Sequence, residues 1–255
     1  MALIVLCSAK GSPGVTTTAL ALTLVWPRPV LLVEADPAGG DVMAGYLRGQ
    51  VPCDRGLLRL AIATRHGRLA EEFNFQLINL NRRGASEPRL LLPGLTNPSQ
   101  VATIAPAWTE IAAYLTGLGT DGGDVIVDAG RIAADSSAWP LISAADRVLL
   151  VVRTTLRSVA AAIPIAERLV GLDDTRPPAL ITVDAGDYRP AEVGKRLGLS
   201  VSARLPWLPQ DAAALSDGDG SPGARGGLLR AARDIARALL AGAESGSDLQ
   251  APVAE

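Results

Sequence analysis

The chain has 255 residues, 48% of them hydrophobic and 20% charged, enough for one large globular domain. A formal net charge of −2 offers no broad basic surface, which argues against DNA and against an anionic membrane as partner. The two cysteines, Cys7 and Cys53, lack metal-ligand spacing and suit a reducing compartment as small buried residues. The opening segment MALIVLCSAKG has no basic leader region, and its apolar run is too short for a signal peptide. It reads as a first strand, 3–9, followed by a Gly-rich loop and a helix over 15–26 that stops before Pro27. A second strand follows at 30–35. FNFQLINL (73–80) and RLLLPG (89–94) are less regular strand candidates, and a helix is predicted over 97–118 behind Asn97-Pro98. Clear strands return at 124–130, 147–153 and 179–184, with helices over 155–171 and 191–198 and a weaker strand at 201–207. Residues 216–227 are a flexible stretch; a last helix is predicted over 227–242.

The strands are short continuous apolar runs rather than alternating ones, as parallel strands buried on both faces require. Alternation with helices predicts an α/β fold: a doubly wound, mainly parallel sheet flanked by helices. One domain over 1–243 and a disordered tail over 244–255 are expected, and no stretch reaches transmembrane length. The expected location is the cytoplasm.

The stretch SAKGSPGVTTT, 8–18, joins the first strand to the first helix. Such a loop presents backbone N–H groups and the positive end of the helix dipole to an anion. Gly11 and Gly14 let the backbone curl around a phosphate, and the Thr16 hydroxyl can reach Mg²⁺. The usual phosphate-loop pattern fails at two places: Ala9 stands where its first glycine belongs and Val15 where its lysine belongs. Lys10 and Lys195 are the only lysines of the chain, so Lys10 in this loop is unlikely to be accidental.

Residues 10–17 resemble the deviant Walker A motif of the ParA/MinD family of P-loop ATPases, in which a second, "signature" lysine opens the loop. Lys10 matches that lysine, and Gly11, Gly14, Thr16 and Thr17 match their counterparts. Ser12 and Pro13 replace a glycine and a variable residue, and Val15 replaces the other lysine. VLLVEADPAGGD (30–41) is similar to the family's second motif, with Asp36 at the position that orients the attacking water and Glu34 in place of an aspartate. DVIVDAG resembles the Walker B strand, with Asp128 at the carboxylate that holds the magnesium shell through water. Pro206-Trp207-Leu208-Pro209 is similar to the loop that contacts the base. Asp184 stands where the family often uses asparagine for adenine, and it can accept but not donate a hydrogen bond.

The resemblance covers about residues 3–242 and implies ATP and Mg²⁺ as ligands. It implies a nucleotide site built from Lys10, Gly11, Ser12, Gly14, Val15, Thr16, Thr17, Asp184, Pro206 and Leu208. Catalysis would fall to Lys10 and Asp36, and the metal to Thr16 and Asp128. The implied function is a switch that forms an ATP-dependent homodimer and positions other cellular machinery through a protein partner or cargo. Without the Val15-position lysine, hydrolysis should be slow or absent. Two rivals stand beside this reading: a pseudo-ATPase scaffold without turnover, and a ligase of the same superfamily, for which the sequence offers no acid–base set. The 227–242 helix resembles in place the membrane-binding helix of MinD proteins. Its apolar side carries small aliphatic residues without Trp or Phe, so a core-packing role is favoured over peripheral membrane contact. Arg131, Arg153 and Arg157 can approach phosphates, but strand-end arginines are ordinarily solvated, and the sequence assigns them no role.

Overall fold

The computed structural model describes residues 2–10, 12–52, 54–81, 87–118, 123–132, 138–172, 177–218 and 226–247. Its centre is an eight-stranded sheet in the order β3-β4-β2-β5-β1-β6-β7-β8. The strands are β1 (Leu3–Ser8), β2 (Val30–Glu34), β3 (Ile78–Asn79), β4 (Arg89–Leu92), β5 (Asp124–Arg131), β6 (Arg147–Arg153), β7 (Ala179–Asp184) and β8 (Ser200–Pro206). Every pairing is parallel except β3 with β4, which is antiparallel at the edge. The mainly parallel, helix-flanked sheet expected from the apolar runs is present.

Successive side chains of a strand point to opposite faces, and here both faces are covered. Leu3, Val5 and Cys7 of β1 enter one core layer, while Ile4 and Leu6 enter the other. The first layer is closed by α2 (Leu57–Arg65), α3 (Leu69–Phe73), α4 (Val101–Ile104), α5 (Trp108–Gly117), α6 (Trp139–Ser143), α7 (Leu156–Val170) and α8 (Pro190–Leu197). The second is closed by α1 (Val15–Val25), α9 (Pro209–Ser216) and α10 (Gly227–Ser247). Burial on both faces explains why the strands read as unbroken apolar runs. Cys7 is a buried free thiol, and burial pushes its pKa upward. Cys53 lies outside the described residues.

Three segments depart from the expected elements. Helices α2 and α3 were not anticipated, although Leu57, Leu60, Ala61 and Thr64 are buried at the i, i+3, i+4, i+7 spacing of a helix face. The predicted 97–118 helix is broken into short pieces. Asn97 and Gln100 form a capping box at its start, and Pro106, which lacks an N–H, sits in a tight three-residue turn before α5. Finally, α10 continues to Ser247, past Gly242; residues 248–255 of the expected tail lie outside the described residues.

α10 packs against α1 and β8. Leu228, Leu229, Ala232, Ile235, Ala236, Leu239 and Leu240 are all buried there, which makes its apolar face part of the core. No described helix is long and apolar enough to cross a membrane.

Candidate functional site

β1, its neighbour β5 and β2 beyond β5 run parallel and end on the same side of the sheet, and the loop after β1 turns there into α1. Gly14 caps α1 with φ 101° and ψ 36°, a left-handed conformation that strains any residue with a Cβ. Ser12 also lies at positive φ, 48°, where the resembling motif has glycine. The first turn of α1 contains no acidic residue, and no side chain caps it, so the positive end of its dipole is unneutralised. Gly11 lies outside the described residues. Lys10 is exposed at the front of the loop.

Above the loop opens a cavity of about 1280 Å³, large enough for a nucleotide. Ser12, Gly14, Val15, Thr16, Thr17 and Asp36 are among its lining residues. Val15 belongs at once to the cavity wall and to the core: it is 5% exposed and packs with the α1 layer. An aliphatic side chain is stable in that place, whereas a lysine there would have to direct its ammonium into the cavity.

The carboxylates at the strand ends are held by backbone groups. In register, Asp128 on β5 faces Leu6 on β1 and Glu34 on β2. Its Oδ1 accepts the Gly130 N–H at 2.9 Å, and the Thr16 side chain is near enough to lower its pKa. Thr16 lines the cavity, whereas Asp128 is buried and is not part of its wall. Burial, with the nearby Glu34 and Asp36 charges, pushes the Asp128 pKa up to about 7, against the pull of Thr16 and the Gly130 N–H. Asp36 accepts the Ala38 N–H at 2.7 Å, and burial raises its pKa as well. It fits only because position 130 is glycine. A Cβ on Gly130 would fall 1.7 Å from Asp36 Oδ2.

Glu34, which the sequence offered only as a stand-in, is a buried anchor. Oε1 accepts the Val42 N–H at 2.9 Å and Oε2 the Gly94 N–H at 3.2 Å, so one carboxyl ties the 36–42 loop to the segment after β4. Burial raises its pKa. Among the described residues no group of three His, Cys, Asp or Glu side chains could hold a metal by itself. Thr16 and Asp128 fit a magnesium ion whose remaining ligands are phosphate oxygens and water.

The far wall is built by the ends of β7 and β8. Pro206, Trp207 and Leu208 line the cavity together with Val183. Asp184 lies opposite Pro206 in register, but its Oδ2 accepts from Arg204 Nη2 at 2.9 Å, and its Oδ1 is buried without a partner. The carboxylate is thus engaged by Arg204 and is not part of the cavity wall.

Arg153 departs from the solvated role expected of a strand-end arginine. It lines the cavity, donates from Nη2 to the Ser12 carbonyl at 2.8 Å, and lies 4.4 Å from the centre of the Trp207 ring. Only contacts distant in sequence reveal this; nothing local to RVLLVVR signals it.

No protein-family model matches the sequence, and no curated protein matches it. Solved structures do. The MinD cell division protein of Aquifex aeolicus is 20% identical, with 99% of each chain covered and a TM-score of 0.67. The septum site-determining protein MinD from Pyrococcus horikoshii, complexed with Mg-ADP, is 17% identical over 94% of this chain and 97% of its own, with a TM-score of 0.71. A ParA family ATPase from Chlorobium tepidum is 17% identical over 91% and 97%, with a TM-score of 0.68. The fold is that of the MinD and ParA P-loop ATPases.

Proposed function

We propose that this chain is a nucleotide-operated switch: it binds ATP with Mg²⁺ at the loop before α1, pairs with a second copy, and positions other machinery while paired. The observation that carries the reading is the open cavity above the left-handed Gly14 turn, lined by Thr16 and Asp36 and facing the uncapped N-terminus of α1. Thr16, with Asp128 buried close by, would offer a phosphate-bound magnesium a hydroxyl and a carboxylate beside that N-terminus. The P. horikoshii MinD solved with Mg-ADP supports the choice of ligand, and the MinC:MinD complex of A. aeolicus supports a protein partner.

Within this site the backbone from Ser12 to Thr17 wraps the phosphates, and Thr16 with Asp128 orients the metal shell. A magnesium ion held there would offset negative charge on the terminal phosphate. Asp36, with its pKa raised by burial, holds the attacking water and accepts its proton. Pro206 and Leu208 bound the base. Lys10 points out from the loop, where it can meet the phosphates held by a second copy. Val15 supplies no charge, so hydrolysis suffers more than binding, because negative charge grows in the transition state.

Calorimetric titration with ATP, with and without Mg²⁺, tests the reading. Magnesium-dependent heat with a dissociation constant in the micromolar to millimolar range is expected. Folded protein that gives no heat at millimolar ATP would leave a scaffold without nucleotide as the function. Asp36→Ala should lower any phosphate release at least tenfold and ATP affinity by less than about threefold; equal losses would make Asp36 structural.

A further inference from the structure

Arg153 ends β6, which lies directly beside β1, and so stands at the flank of the Gly-rich loop. Its backbone is fixed by the N–H donated to Ser158 Oγ at 3.1 Å. The guanidinium donates to the Ser12 carbonyl at 2.8 Å and stacks on Trp207 at 4.4 Å, which joins the phosphate loop to the base-side wall. No carboxylate pairs with it among the described residues, and its Nε is buried with no hydrogen-bond partner.

A guanidinium stays protonated in proteins, so this group is a partly desolvated cation beside a second one, Arg157. The buried Nε–H is costly while it lacks an acceptor, and the rest of the guanidinium is open to an anion in the cavity. The same cavity receives the uncapped N-terminus of α1, also without an acidic neighbour in its first turn. Meanwhile the loop itself carries buried, apolar Val15 where a phosphate-binding lysine would be. The cavity therefore has a cation, placed from the sheet rather than from the loop.

We propose that Arg153 supplies the positive charge that Val15 does not: it leaves the Ser12 carbonyl and donates to a phosphate of the nucleotide bound at α1. Ser12 and Trp207 hold the guanidinium ready, so little side-chain freedom is lost on binding. Arginine is suited to this, since its planar fork both stacks on an indole and grips phosphate oxygens in pairs. The proposal rests on the reading of the cavity as a nucleotide site.

Wild type, Arg153→Gln, Arg153→Lys and the double variant Val15→Lys/Arg153→Gln are titrated calorimetrically with Mg·ATP and with adenosine. Arg153→Gln should weaken ATP about ten- to hundredfold and adenosine by less than about threefold, since a charge-assisted phosphate contact is lost while Trp207 loses only a stacking neighbour. Arg153→Lys should recover part of the loss, and the double variant should recover most of it. Arg153→Gln binding ATP as wild type does would overturn the proposal and leave the nucleotide site standing. No ATP binding by wild type would instead overturn the nucleotide reading, and this proposal with it. A readout independent of any Arg153 variant is the Trp207 emission, taken as the difference between wild type and Trp207→Phe. It should change on addition of inorganic tripolyphosphate as the guanidinium moves, and an unchanged emission with bound tripolyphosphate contradicts the proposal.

Discussion

At the scale of single residues, the site is a balance between buried carboxylates and missing cations. Asp128 has a folded-state pKa of about 7 against 3.8 when unfolded, so between those values the folded protein binds the extra proton. Stability of the ligand-free protein therefore falls as pH rises from about 4 to 7, by at most about 1.4 kcal/mol per pH unit from this group. Asp128→Asn removes that dependence. In magnesium-free buffer it should unfold at higher denaturant concentration than wild type at pH 8, with the two converging near pH 4; parallel pH profiles would mean that Asp128 titrates normally. Val15→Lys tests the opposite side of the balance. It should cost about 1–2 kcal/mol of ligand-free stability, because a nearly buried valine is lost, yet gain more than wild type from saturating Mg·ATP. Thermal melts with and without ligand check both signs, and an unchanged ligand response would place position 15 away from the phosphates. The sequence offered Lys10, Thr16, Asp36 and Asp128 as candidates because motif spacing fixes them relative to a strand end. It hid the anchoring of Gly94 by Glu34, the clearance at Gly130 and the hold of Arg153 on Ser12, which arise between segments 60 and 141 positions apart or from a missing Cβ.

At the scale of elements, strand positions were legible because burial on both faces forces continuous apolar runs, and parallel connections force helices between them. Boundaries drifted where a helix starts without a polar cap or is interrupted. α2 begins behind Gly56 with no side-chain cap, and the 98–117 run is broken at Pro106. α10 shows how packing decides between two uses of one amphipathic pattern. Ile235 is 6% exposed within the layer shared with α1, so Ile235→Asp should destabilise the protein by about 3 kcal/mol or more and lower its melting temperature sharply. Wild type should remain in solution when floated with anionic lipid vesicles. A folded Ile235→Asp protein that loses a vesicle affinity possessed by wild type would show instead that the helix leaves the core for a membrane surface.

At the scale of the whole molecule, the sheet places three contributions to one cavity on the carboxyl ends of its strands: the loop after β1, Asp36 after β2 with the end of β5, and the wall at the ends of β7 and β8. An open α/β sheet binds ligands at that edge. Lys10 is the residue whose benefit would exist only between two molecules, since it is exposed on the loop and is not part of its own cavity wall. If it neutralises phosphate charge across a dimer, ATP must drive association, and removal of Lys10 must abolish that without disturbing the monomer. An ordinary solvated lysine would change stability by only a few tenths of a kcal/mol and assembly not at all. Sedimentation velocity of wild type and Lys10→Ala, each with and without Mg·ATP, measures this directly. The account predicts a monomer that becomes a dimer only in wild type with Mg·ATP; a wild type that does not respond to the nucleotide would contradict the switch itself.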